Sequence, residues 1–458
     1  MSVPAQSIFK AYDIRGIVGK TLTADVVAQI GRAIGSEARA RGQSTIVVGR
    51  DGRLSGPAFA EALSAGITRA GVDVIDIGCV ATPLTYFAAY HLDAHCCVSI
   101  TGSHNPPEYN GLKMVLGGET LHGEMIRDLR RRIVEGDFTE GSGAITQTDV
   151  RPAYIARILS DVKLARPMKI VLDSGNGAAG NTAPALFRQL GCELTELFSE
   201  VDGNFPNHHP DPSKPENLDD VIAALKAGEA ELGLAFDGDG DRLGVVTKDG
   251  EIIYPDRQLM LFAADVLTRV PGGQVIYDVK CTRHLAPWIR QHGGEPVMWC
   301  TGHALMKAKL VESGAPLAGE LSGHMFFKER WYGFDDGLYT GARLLEILSR
   351  HPDANAVLKA LPNAISTPEI NVKMGEGEAL ELVTQLKASA HFEGEIERIT
   401  VDGLRIEYAD GFGLMRASNT TPVLVLRFEA DDEAALARIQ ANTARAIRAL
   451  RPALTLPF

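Results

Sequence analysis

Asp237, Asp239 and Asp241 stand at every second position of DGDGDR, with glycines between them. Carboxylates this close repel one another unless a cation lies among them. The intervening glycines free the backbone to turn all three inward. Hard oxygen donors suit Mg²⁺ or Ca²⁺. A calcium EF-hand loop also begins with aspartates at positions one, three and five. It needs glycine at six and glutamate at twelve, where this chain has Arg242 and Lys248. A solvated acidic turn is the remaining alternative, and the apolar run LGLAF leading straight into the loop weakens it.

Three further clusters have the composition of phosphate and sugar chemistry. TGSHNPP places Ser103 directly after the apolar run CCVSI, beside His104 and Asn105, with Lys113 shortly downstream. A serine held near a metal and basic groups can carry a phosphoryl group. No GxSxG elbow accompanies it, so an esterase triad is poorly supported. GELSGH joins Glu320, Ser322 and His324, a mixture of acceptor and donors suited to sugar hydroxyls. RASNTTP brings Arg416, Ser418, Asn419 and Thr420 together, with Arg427 after them, the ingredients of a phosphate cradle. Taken singly, each of these is also an ordinary polar turn.

The elements that must position these loops repeat along the chain. TIVVGRDGRLSG, KIVLDSGNGAAG and QVIYDVKCTRHL begin at residues 45, 169 and 274, and each is an apolar run, a turn and then a helical pattern. A second strand opened by glycine follows each: GVDVIDIG, GCELTELF and GGEPVMWC. A third strand then exits into the serine loop, the aspartate loop or the GELSGH loop. Periods this long belong to domains, not solenoid units. Alternating strand and helix predicts parallel α/β layers, whose ligands gather beyond the carboxyl ends of the strands. Ahead of the first repeat, Val26, Val27, Ile30, Ala33 and Ile34 share one helical face, and Thr23 is placed to cap it. The end of the chain differs. ITVDGLRIEY predicts a hairpin around Asp402-Gly403, VLVLRFEA a further strand, and the segment from Asp431 a helix that is acidic at its start and arginine-rich at its end. Four domains follow, over residues 1–150, 151–255, 256–365 and 366–458, with a linker near Ser366-Thr367-Pro368.

Composition bounds the function. With 46 basic against 58 acidic residues, the net charge of −12 argues against nucleic-acid and anionic-membrane partners. No apolar run approaches membrane-spanning length, and the first residues lack a signal-peptide core. Six cysteines without CxxC spacing read as buried thiols of a reducing cytoplasm. Three rival motifs are weaker. Gly175, Gly177 and Gly180 match a dinucleotide fingerprint, with Glu193 and Glu196 near the ribose-binding position, which keeps an NAD-dependent oxidoreductase in view. Gly19-Lys20-Thr21 lacks the earlier glycine and the strand of a P-loop. His91, His95, Cys96 and Cys97 permit zinc, but cysteines opening a buried strand read better as core.

Together, from FKAYDIRG at 9–16 to RASNTTPVLVLRF at 416–428, these motifs resemble the α-D-phosphohexomutase family, in particular its bacterial phosphomannomutase/phosphoglucomutase group. The resemblance implies three related α/β domains with mainly parallel mixed sheets plus a C-terminal α+β domain, heart-shaped around a central cleft. It implies an isomerase that moves a phosphoryl group between C1 and C6 of glucose and mannose phosphates. Ser103 would be the phosphoserine, and a hexose 1,6-bisphosphate the intermediate, with glucose 1,6-bisphosphate as activator. Mg²⁺ would be held by Asp237, Asp239, Asp241 and a Ser103 oxygen. Glu320 and Ser322 would bind sugar hydroxyls, with His324 beside them, and Arg416, Ser418, Asn419 and Thr420 the non-reacting phosphate. Tyr12, Arg15, Lys113, Arg242, Lys280 and His303 would line the cleft, and Ser103, Lys113, His104, Arg15 and Arg242 would be the catalytic groups, with Lys113 the first acid/base candidate, ahead of His324 and His303, if neighbouring arginine and burial lower its pKa. Leu321 stands where the dual-specificity group commonly has Met, which is compatible with use of both sugars. A monomer acting on small hexose phosphates is implied. A Mg²⁺-dependent sugar phosphatase would use the same serine and carboxylates and remains the nearest rival.

Overall fold

Residue Cys96 points into one core layer and Cys97 into another, because successive strand side chains face opposite sides of a sheet. The same alternation sends Ile46 and Val48 one way and Val47 the other, so the central strands are apolar on both faces. The computed structural model describes residues 3–418 and 421–458. Its first sheet runs Ile14–Ile17, Tyr109–Leu116, Cys97–Ile100, Thr45–Arg50, Asp73–Cys79 and Ile145–Gln147.

The sequence repeat is a repeat of topology. In the first unit Thr45–Arg50 lies parallel between Cys97–Ile100 and Asp73–Cys79. In the second, Met168–Asp173 lies between Leu232–Phe236 and Cys192–Leu197. In the third, Gln274–Asp278 lies between Leu317–Gly319 and Glu295–Trp299. Each third strand is then paired antiparallel by a strand that returns from its exit loop: Tyr109–Leu116, Leu243–Thr247 and Met325–Phe327. The sheets are therefore mixed. The three loops singled out for chemistry are each tied at both ends to a sheet.

The helix Ala24–Ala40 forms as expected, with Thr23 Oγ1 accepting the Val26 N–H. Cores are not one per unit. The helix Thr82–His91 belongs to the first unit by sequence, yet Leu84, Phe87 and Ala88 join the large cluster that holds Leu172, Phe236, Tyr277 and Phe327 of the second and third units. The fourth unit keeps its own core, with Leu382, Leu404, Leu426, Phe428 and Ile439. Its sheet is antiparallel throughout and includes the expected hairpin, Glu397–Ile399 with Leu404–Tyr408, and the strand Val423–Ala430. The helix Glu433–Leu450 is capped by Asp432, which accepts the Ala435 N–H. At the expected linker, Ile365–Ser366 already pairs with Glu429 and Ala430, and the Thr367 N–H donates to the Phe428 carbonyl. The hand-over is anchored in the fourth sheet.

Among the described residues, no helix is long and apolar enough to cross a membrane. The suspected zinc residues are accounted for by packing: His91 stacks on Phe87 and His95 faces Asp93. The dinucleotide-like loop has a structural job. The Ala178 N–H donates to the Gly238 carbonyl, and a Cβ on Gly177 would lie 2.8 Å from that oxygen and 3.1 Å from the Asp237 carbonyl. Glu193 is exposed and Glu196 pairs with Arg188. The glycines thus let this turn back the DGDGDR loop. Gly177→Ala is expected to lower stability by about 1–3 kcal/mol through overpacking, measured by chemical denaturation.

Candidate active site

The left-handed backbone of Ser103, with φ at 51°, is uncommon for a residue with a side chain. Its N–H donates to Thr101 Oγ1 at 2.7 Å. Its buried Oγ lies 3.1 Å from His104 Nδ1 and donates to Asp237 Oδ2 at 3.3 Å. Arg15 reaches across from the strand Ile14–Ile17 to the Gly102 carbonyl at 3.3 Å and to Asn105 Oδ1, while Asp13 Oδ2 pairs with it at 2.5 Å. The serine loop of the first unit and the aspartate loop of the second therefore share one pocket.

Asp237, Asp239 and Asp241 are fully buried. Their carboxylate oxygens lie within 4.8 Å of one another. Among the described residues, Asp239 Oδ1 and Asp241 Oδ1 have no hydrogen-bond partner. Oxygen-only donors, two of them orphaned in a buried site, fit a hard divalent cation. The three differ electrically. Burial raises the Asp237 pKa, and Asp241 and Asp239 raise it further. Burial also works against Asp239, but Lys113 and the Thr82 hydroxyl outweigh it and hold that carboxyl down.

Lys113 corrects an expectation. Burial does lower a lysine pKa, as supposed. Its Nζ, however, lies 2.8 Å from Asp239 Oδ2 and 2.5 Å from Asp241 Oδ2, and these carboxylates reverse the shift and raise it. The nearest charges are acidic, not basic, so Lys113 stays protonated while it faces them.

The third unit closes the pocket. Arg242 Nε donates to His324 Nε2 at 3.1 Å, and His324 Nδ1 lies 3.0 Å from Asp335 Oδ2. Asp335 is a buried hub. Lys307 Nζ holds its Oδ1 at 2.9 Å, and His303 Nδ1 lies 3.9 Å from its Oδ2. Burial, aided by Lys307, drives the His303 pKa down; burial with Arg242 and Arg15 does the same for His104, so both rings are neutral. Glu320 accepts the Gly302 N–H at 3.2 Å and the Ser322 hydroxyl at 3.1 Å. Tyr12 meets His303 edge-on, with ring centroids 5.5 Å apart. Burial, then Asp13, pushes its phenol up to about 12, while Glu320, Lys280 and Arg416 also act on it.

The fourth unit faces the third. Arg416 Nε donates to Asp402 Oδ2 at 3.1 Å. Lys280 Nζ lies 2.7 Å from Glu369 Oε1. Ser418 accepts the Thr421 N–H, and Asn419 and Thr420 lie outside the described residues. Arg427 does not join this group: its guanidinium donates to the Lys280 carbonyl and so ties the two units together.

Sequence reasoning missed Arg53, Asp51, Asp335, Lys307, Glu369 and Asp402. The repeat held one signal. Asp51, Asp173 and Asp278 end or follow each first strand, and two of them brace an exit loop: Asp51 Oδ2 accepts the Gly102 N–H, and Asp278 Oδ1 the Leu321 N–H. Asp173 instead takes the Gly175 N–H and His208 Nε2.

Comparison with known proteins covers the whole chain. The family description "Phosphoglucomutase/phosphomannomutase, alpha/beta/alpha domain I" matches residues 6–140, its domain II 152–250, its domain III 254–365, and its C-terminal domain 369–446. A phosphoglucomutase of Neisseria gonorrhoeae is 58% identical over 100% of both chains. A phosphomannomutase/phosphoglucomutase of Pseudomonas aeruginosa is 56% identical over 100% of this chain and 98% of its own. A crystal structure of a phosphoglucomutase/phosphomannomutase family protein from Burkholderia thailandensis superposes with a TM-score of 0.96 at 62% identity, covering 99% of this chain and 100% of that one.

Proposed function

The chain belongs to the phosphoglucomutase/phosphomannomutase family, and on that premise we propose how its loops divide the work of a phosphohexomutase. The enzyme is an isomerase of hexose phosphates. Residues 1–150 supply the phosphoserine loop, 151–255 the metal loop, 256–365 the sugar loop and 366–458 the phosphate loop. The observation that carries this reading is Ser103 Oγ resting 3.3 Å from Asp237, in one buried pocket with Lys113, Arg242 and His324.

Ser103 carries the phosphoryl group. The 6-hydroxyl of a 1-phosphosugar attacks that phosphorus and passes its proton to His324 of the sugar loop; the bond to Ser103 Oγ breaks, and a hexose 1,6-bisphosphate forms. The bisphosphate turns over and returns its other phosphoryl group to Ser103, the released sugar oxygen takes the proton back from His324, and the 6-phosphosugar is left. Asp237, Asp239 and Asp241 would hold Mg²⁺, which when bound neutralises charge on the phosphoryl oxygens. Protonated Lys113 and Arg242 add fixed positive charge, and Lys113 suits the role of donor to the leaving serine oxygen. Neutral His104, 3.1 Å from Ser103 Oγ, is placed to accept its proton when the serine attacks. Glu320 and Ser322 orient sugar hydroxyls. Arg416, Ser418, Asn419 and Thr420 grip the distal phosphate, with Lys280 nearby. One chain supplies all four loops, which supports a monomer, and six unpaired cysteines support a cytoplasmic setting.

His324 serves the sugar side, with Arg242 Nε donating to its Nε2 at 3.1 Å and Asp335 Oδ2 lying 3.0 Å from its Nδ1. Asp335→Asn removes that charge and is expected to lower kcat by about 10- to 100-fold, a share of what acid–base groups contribute, with KM little changed. Steady-state kinetics on glucose 1-phosphate checks this.

The decisive experiment is a phosphorus NMR time course with Mg²⁺, glucose 1-phosphate and a trace of glucose 1,6-bisphosphate. The 1-phosphate signal is expected to give way to the 6-phosphate signal, with mannose 1-phosphate the next substrate. Growth of inorganic phosphate instead would replace the mutase with a phosphatase.

A further inference from the structure

Arg53 is 1% exposed. Its guanidinium is spent on the serine loop. Nη2 donates to the Ser103 carbonyl at 2.9 Å and the Asn105 carbonyl at 2.6 Å. Nη1 donates to the Pro106 carbonyl at 2.6 Å and the Tyr109 carbonyl at 2.8 Å. Nε donates to Asp51 Oδ2 at 3.2 Å, the same oxygen that takes the Gly102 N–H. The plane packs on the Cα of Gly102, where a Cβ would lie 2.2 Å from the guanidinium carbon, and Phe205 of the second unit covers it with a ring centroid 5.4 Å away. Four carbonyls of one short loop are thus turned onto one planar fork. In a trans peptide C=O and N–H point in opposite directions, so fixing the Ser103 carbonyl also fixes the His104 N–H, facing away from the guanidinium.

We infer that Arg53 is a positioning residue that holds Ser103 in its left-handed conformation, with Oγ aimed at the aspartate pocket, and so sets the rate of phosphoryl transfer. This rests on Ser103 being the phosphoryl carrier. A lysine keeps the charge but offers three donors from one point, and cannot meet four carbonyls and a carboxylate. A methionine leaves those carbonyls buried and unpaired.

The test uses full-length Arg53→Lys and Arg53→Met, and three readouts: single-turnover transfer from glucose 1,6-bisphosphate to dephosphorylated Ser103, affinity for glucose 6-phosphate, and the thermal midpoint. Transfer is expected to slow about 10- to 100-fold in Arg53→Lys and about 1,000-fold in Arg53→Met. Glucose 6-phosphate affinity is expected to stay within about twofold, because its contacts belong to the third and fourth units. Arg53→Lys decides the matter if Arg53→Met does not fold. Transfer at the unsubstituted rate in both variants, or loss of sugar affinity and melting temperature in step with transfer, overturns the inference. If the unsubstituted protein transfers while the variants keep pace, Arg53 alone falls; if it accepts no phosphoryl group, the phosphoserine reading falls too.

Discussion

Ser103→Ala is expected to leave a folded protein with turnover reduced by about 1,000-fold or more. The fold should survive because the contacts that shape this loop are made by backbone. The Ser103 N–H to Thr101 and the Ser103 carbonyl to Arg53 remain in an alanine variant, and so do the other bonds from Arg53. Only the Oγ contacts with His104 and Asp237 are lost. Alanine and serine pay a similar penalty at positive φ. Turnover should not survive, because neighbouring hydroxyls are already committed. Thr82 donates to Asp239, and Thr101 Oγ1 accepts the Ser103 N–H. The variant should still bind glucose 6-phosphate, since Glu320, Ser322 and Arg416 are untouched. A coupled assay, a thermal melt and intact-mass detection of the phosphoryl adduct together check it. Undiminished activity would move the phosphoryl carrier elsewhere.

The aspartates, the serine and the sugar loop were legible because their chemistry is packed into five or six consecutive residues. Their common address was legible because each ends the third strand of a repeat, and strand ends are where α/β sheets place ligands. What stayed hidden is what depends on partners distant in sequence. Nothing local marks Arg53 as the clamp on a loop some 50 residues away. Asp335 gains its role only when Lys307, His303 and His324 converge on it. The sign of the Lys113 shift failed for the same reason: its neighbours in the chain are apolar, and the carboxylates that govern it lie in another unit. The return strands were also missed, since a strand after a polar exit loop looks like any other apolar run. Without them the loops would be free ends beyond a parallel sheet; with them they are tethered at both sides.

Chelation of divalent cations should abolish turnover reversibly, by about 1,000-fold or more given the several kcal/mol a metal contributes to phosphoryl transfer. The expectation follows from charge around the pocket. Three buried carboxyl groups crowd where an anionic phosphoryl group must enter, and their mutual repulsion shows in the raised Asp237 pKa, which burial, then Asp241 and Asp239, produce. Lys113 takes Oδ2 of both Asp239 and Asp241, while Oδ1 of each has no hydrogen-bond partner among the described residues. A divalent cation on the Oδ1 side and the lysine on the Oδ2 side can therefore act together instead of competing. Asp241→Asn tests this division separately from chelation. It removes one charge and one orphaned oxygen while an amide can still occupy the space, so Mg²⁺ affinity by calorimetry should fall at least tenfold with little change in melting temperature. Lys113→Met bears on the same point from the other side. If lysine and metal shared oxygens competitively, its loss would tighten Mg²⁺ binding and spare turnover. With the oxygens divided between them, turnover falls even at saturating Mg²⁺, because the positive charge beside the transferring group is gone.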